Sequence, residues 1–158
     1  MPWSSEGKMQ NEKCKMKSDA CKMEGEEHQG NQALASGVPR DLSERLLRFA
    51  VRVGKAVNAL PATRLGRHVA AQLIRSGTSA APNYEEGCVA ESRADFIHKL
   101  SICLKELRES RFWIRLIVES EVLPTKKMAD LQDECTQLCK IVGKSLITAR
   151  KNQGKGRG

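Results

Sequence analysis

Arg75–Phe96, RSGTSAAPNYEEGCVAESRADF, is the stretch on which the reading of this chain turns. On either side the sequence repeats apolar residues in alternating steps of four and three, the signature of helices with one buried stripe. Within the stretch that stripe does not stop. It thins into Ser76, Ser79, Ala80, Asn83, Glu86 and Gly87. A bundle needs no such residues merely to fold, so they form either a close-packing device or a site.

Worked outward, the pattern gives four helices. The first opens at Asp41-Leu42-Ser43-Glu44, a capping box with Asp in the cap position. Its stripe runs through Leu42, Leu46, Phe49, Val53, Ala56 and Leu60, and Pro61 stops it. Thr63 caps the second, which carries Leu65, Val69, Leu73, Ser76, Ala80, Asn83, Gly87 and Ala90. Pro82 lies inside this helix, removes a backbone donor and predicts a kink or short break. Ser92 caps the third helix, with Phe96, Leu100, Cys103, Leu107, Ser110, Ile114 and Ile117 inward. Thr125 caps the fourth, with Met128, Leu131, Cys135, Leu138, Val142 and Ala149. Helices of roughly 20 to 28 residues, joined by short loops, make rods of about 30–40 Å. The expected fold is all-α, an antiparallel up-down-up-down four-helix bundle with its second helix kinked near Pro82. The domain spans 39–152. Residues 1–38 lack periodicity and read as a disordered tail, and 153–158 as a flexible basic tail.

Composition agrees with helices: aromatics are 4% of the 158 residues, too few for most sandwiches or barrels. The sequence has no apolar run long enough to span a membrane, and its start lacks the apolar core of a signal peptide. These features predict a cytoplasmic protein. The net charge is +8, unevenly spread. Residues 1–37 hold five Lys against six acids, so the remainder carries +9. A basic folded body suits a polyanionic partner such as RNA or DNA, although basicity also simply aids solubility. The six cysteines, at 14, 21, 88, 103, 135 and 139, form no Cys-x-x-Cys pair and no zinc spacing with His. Cys103 and Cys135 fall at core positions, and Cys135 and Cys139, one turn apart on one helix, read as reduced packing thiols rather than a two-ligand metal contact. No cofactor or metal is expected.

The string Arg75-Ser76, Ser79, Asn83, Glu86-Gly87 resembles the four helix bundle protein family. Its members include proteins encoded by intervening sequences in bacterial large-subunit rRNA genes. It is similar, more distantly, to the accessory variability determinant of diversity-generating retroelements. Glu91-Ser92-Arg93-Ala94-Asp95-Phe96, Lys105-Glu106 and Arg111-Phe112-Trp113 extend the likeness across roughly residues 40–152. Proline in this motif usually stands one residue earlier; here Pro82 directly precedes Asn83. The resemblance implies a ring-like homopentamer. For the retroelement relatives it implies a basic surface that engages nucleic acid and a reverse transcriptase.

Three groups of residues are candidate sites. Arg75, Ser79, Asn83 and Glu86 form a polar cluster, either a ligand pocket or a structural device fixing helix register. Arg75 and Glu86 stand eleven residues apart, too far to pair within one straight helix, so each should pair with another helix or subunit. The basic stripes Arg45/Arg48/Arg52/Lys55, Arg64/Arg67/Arg75 and Arg108/Arg111/Arg115 could grip phosphate, or be solvated faces partly neutralised by Glu44, Glu106, Glu109 and Glu119. Arg93 and His98 match a loose Arg-x4-His spacing seen in small helical ribonucleases, although a surface histidine explains the pair as well. Of Phe112 and Trp113, adjacent and hence pointing apart, one should enter the core and the other stay partly exposed or lie between subunits; a stacking platform for bases is the rival reading.

The function expected from this pattern is a non-enzymatic, oligomeric bundle that binds nucleic acid, accessory to a reverse transcriptase or to ribosomal RNA. The alternatives are a protein scaffold with incidental basicity, and a metal-independent ribonuclease.

Overall fold

The computed structural model describes residues 42–154. The expected tail over 1–38, the cap at Asp41 and most of the basic C-terminal tail lie outside them. Four helices follow one another: α1 (Leu42–Asn58), α2 (Arg64–Cys88), α3 (Arg93–Glu119) and α4 (Thr125–Gly154). No strand occurs among the described residues. At 17, 25, 27 and 30 residues, the helices span a wider range of lengths than the periodicity alone suggests.

The caps explain the boundaries. Thr63 Oγ1 accepts from the Gly66 amide at 3.0 Å, and Ser92 Oγ accepts from the Asp95 amide at 3.1 Å. α4 begins at Thr125 itself, so that residue opens the first turn rather than capping it. Between α3 and α4, Glu121 takes a φ of 52° to turn the chain. α2 runs helical straight through Pro82, so the break considered there does not occur. The proline ring sits on an exposed face. Beside it, Asn83 Nδ2 donates to the Ser79 carbonyl, one turn back, at 2.8 Å.

The apolar stripes meet in one core. Leu46, Phe49 and Val53 come from α1, Val69 and Leu73 from α2, and Leu100, Cys103, Leu107, Ile114 and Ile117 from α3. Met128, Leu131, Cys135, Leu138 and Val142 complete it from α4. Leu65, read as an inward position, is instead exposed at the edge of the first turn of α2.

The small residues of the opening stretch lie where α2 meets its neighbours. Ser76 and Ser110 are wholly buried and hydrogen bond each other across α2 and α3 at 3.0 Å. Their hydroxyls also lie within reach of the Leu73 and Glu106 carbonyls, at 3.5 and 2.9 Å, so neither is stranded. Gly77 admits Val53 of α1. A Cβ on that glycine would lie only 2.7 Å from Val53 Cγ1. Cross-helix contacts fix direction as well. On α2 the order Ser76 then Glu86 meets Ser110 then Lys99 on α3, so the two helices run oppositely. On α3, Leu107 and Ser101 meet Cys135 and Arg150 of α4 in the same reversed sense.

Candidate nucleic-acid interface

The candidate polar cluster does not converge on a pocket. Arg75 reaches across to α3 and ion pairs with Glu109, and its Nη1 lies 3.5 Å from Glu106 Oε2. That oxygen is buried without a hydrogen bond, so Arg75 supplies its charge compensation. The hydrogen bond and charge of Arg75 hold the Glu109 carboxyl below the usual range, and the same contact raises Arg75. Trp113 Nε1 also donates to Glu109, at 3.4 Å. Further along, Glu86 pairs with Lys99 of α3 and raises the lysine's pKa. Ser79 Oγ donates to the Arg75 carbonyl at 2.6 Å. Arg75 and Glu86 thus pin α2 to α3, as their spacing suggested, while Ser79 and Asn83 bond their own helix.

The three basic stripes fare differently. Arg45 grips Glu134 of α4 with two parallel hydrogen bonds, at 3.0 and 2.9 Å, and also reaches Gln137. It is a tie between helices. Arg48 pairs with Glu44 one turn back at 3.0 Å, while Arg52 and Lys55 have no such partner among the described residues. Arg67 donates to the Ala62 carbonyl beside the α1–α2 turn, leaving Arg64 exposed. Arg108, Arg111 and Arg115 make no hydrogen bond or ion pair among the described residues. Arg108 and Arg115 are exposed, with Arg111 half-buried.

Those three arginines belong to a larger basic surface. Ser101, Lys105, Arg108, Phe112 and Arg115 follow in steps of four and three, so they share one face of α3. Lys140, Lys144, Ile147 and Lys151 do the same on α4. Between the two helices lies an open groove of ≈ 430 Å³. Ser101, Leu104, Lys105 and Arg108 line one wall, and Gly143, Leu146, Ile147 and Arg150 the other. Arg150 Nη2 reaches Ser101 Oγ across it at 3.4 Å. No carboxylate lines the groove. Glu119, one turn past Arg115, is the negative charge at the far end of the α3 face.

The charge of the α3 arginines reaches one buried thiol. Cys139 is lowered to about 7 by a hydrogen bond from Cys135 and by Arg111 and Arg108, against the opposing effect of burial. Burial pushes Cys103 up to about 12, and Cys135 is raised by the same Cys139 contact and by burial. All four described cysteines are buried thiols outside any disulfide among the described residues. Among the described residues, no group of three or more His, Cys, Asp or Glu is placed to hold a metal ion. No described helix is long and apolar enough to cross a membrane.

Sequence reading missed Lys105, Lys140, Lys144, Arg150 and Lys151, although a signal was present. After Glu134 the chain contains no Asp or Glu at all, while Lys140, Lys144, Arg150, Lys151, Lys155 and Arg157 follow. The two residues of the ribonuclease-like spacing are both exposed on α3. Five helical residues turn about 140° around the axis, so Arg93 and His98 do not aim at one point. Trp113 packs half-buried against the core and meets His68 edge-on, with 5.6 Å between ring centroids. Phe112 stays 58% exposed.

The comparisons with known proteins agree with this architecture. No curated protein matches the chain. A crystal structure of a protein with unknown function from the S23 ribosomal protein family of Bacteroides thetaiotaomicron shares 30% identity. The similarity covers 66% of this chain and 94% of that one, with a TM-score of 0.59. The model of the 23S rRNA-intervening sequence protein family matches residues 41–144, most of the folded bundle. The chain belongs to the 23S rRNA-intervening sequence protein family.

Proposed function

We propose that this protein works without catalysis of its own, as an oligomeric bundle that binds nucleic acid through the α3–α4 face. The observation that carries this reading is the run of Lys105, Arg108, Arg111 and Arg115 beside Lys140, Lys144, Arg150 and Lys151, none of which forms an ion pair among the described residues. A groove free of carboxylates lies between them. Elsewhere part of the positive charge is offset within the fold: Arg45, Arg48 and Arg75 pair with carboxylates. A surface of this kind binds phosphates rather than base edges, because the sequence carries no base-reading motif. The family's name carries 23S rRNA, which makes ribosomal RNA the first ligand to test; a retroelement reverse transcriptase and its template would be the other context.

Self-association would multiply these contacts and raise avidity. The feature that favours it is on α1, which contributes nothing to the groove. Leu47 and Val51 stand exposed one turn apart, and Gly54 continues the same face with open space above it. A homopentamer, as the resemblance implies, would cover such a face. Light scattering of the purified chain tests this; a monomer at all concentrations would contradict it. The same face is what a protein-scaffold role would use. Filter binding separates the two roles. A scaffold retains no RNA, whereas the groove reading predicts binding that weakens steeply with salt and is cut by joint replacement of Arg108, Arg111 and Arg115 with Gln.

A further inference from the structure

We infer that the α3–α4 groove accepts single-stranded nucleic acid in preference to a duplex, with bases lying on its apolar floor and phosphates on its cationic rims. This inference rests on the nucleic-acid reading above and specifies the form of that ligand.

The groove is not a bare patch of charge. Its floor is apolar, made by Leu104 and Leu146, and Ile147 on its rim is 55% exposed. Phe112 stands out from α3 between Arg108 and Arg115, one turn from each on the same face. Its ring is held edge-on against Trp113, with centroids 4.9 Å apart at 77°, so it is a braced platform rather than a loose side chain. A duplex presents phosphates and sugars outward and hides its base faces, so this apolar surface would gain nothing from it. A single strand offers both a backbone for the cations and base faces for Phe112 and Ile147.

Gly143 fits the same purpose. A glycine inside a helix costs stability relative to alanine, and close packing often repays it. Here it does not, because a Cβ would meet only Leu104 Cδ2, at 4.0 Å, an ordinary contact. The missing side chain deepens the groove at its middle. Arg150, tied to Ser101 across the gap, sits where a backbone phosphate would replace that weak bond.

The test is competition binding with the full chain at fixed ionic strength. It uses a short uridine-rich RNA strand, the matching DNA strand, and the blunt duplex of each. The expected result is that each single strand binds more tightly than its own duplex. Phe112→Ala, a change on the surface that leaves the core intact, should weaken single-strand binding about tenfold while leaving duplex binding within about twofold. Gly143→Leu, checked for folding by circular dichroism, should act in the same direction by filling the groove. Duplex binding as tight as single-strand binding, or a Phe112→Ala variant with unchanged single-strand affinity, overturns the inference. If the duplexes also bind with a steep salt dependence that the arginine replacements abolish, the nucleic-acid reading itself stands. If no strand binds at all, both fall together.

Discussion

Two glycines show how differently one residue type can act here. Gly77 is required by packing, because Val53 of α1 occupies the space its Cβ would need. Gly77→Ala should lower the unfolding free energy by about 1–3 kcal/mol, the usual cost of overpacking. Gly54 lies in a helix with nothing within 4 Å of its Cβ position. Gly54→Ala should therefore raise stability by up to about 1 kcal/mol in the isolated chain. Urea denaturation of the two variants decides this; effects of equal sign would show that local helix propensity, not the approach of Val53, governs position 77. Nothing in the sequence distinguished the two glycines. Both are helical by pattern, and the difference lies in which neighbouring helix crosses above each.

At the scale of the elements, α2 and α3 are joined by a layered seam. Ser76 and Ser110 lie buried at its middle, with Arg75–Glu109 and Glu86–Lys99 on its exposed sides. The Arg75 contact makes stability depend on pH. Glu109 has a folded pKa below its ordinary 4.5, mainly through the hydrogen bond from Arg75. A depressed carboxyl stabilises the fold fully above the unfolded pKa and loses that contribution as pH falls through the folded value. Glu109→Gln should thus flatten part of the acid limb below about pH 4.5, read as melting temperature against pH. An acid limb identical to wild type would remove Glu109 from the pairing. Its partners were partly legible beforehand. Eleven residues between Arg75 and Glu86 exclude an internal pair, which points each to another helix. The choice of Glu109 and Lys99 depends on the antiparallel register, and a single sequence does not carry that. The stripe positions were legible for the opposite reason: steps of four and three follow from helix geometry alone, so Phe49, Leu107 and Leu138 fall inward whatever the register.

At the scale of the whole molecule, charge is sorted by what each helix packs against. Arg45 of α1 and Arg75 of α2 pair with carboxylates of neighbouring helices and so hold the bundle together, whereas Arg108 of α3 and Arg150 of α4 line an open groove. Three stripes of comparable composition could not be ranked by sequence, because a cation's partner, such as Glu134 for Arg45, stands up to 89 residues away. The α4 lysines escaped notice because they are interspersed with core positions and form no run. Read as the absence of acids after Glu134, they were visible throughout.

The central claim is that this face binds nucleic acid by charge. Its most direct test is the salt dependence of RNA binding, measured in parallel for the wild type and the Arg108→Gln/Arg111→Gln/Arg115→Gln variant. The account predicts a linear fall of log affinity with log salt, with a slope of about −0.7 for each phosphate neutralised on a single strand. The variant's slope should be shallower by up to about 2 units, the share of three contacts. A wild type that retains no RNA at low salt, or a variant with the same slope and affinity, would contradict it.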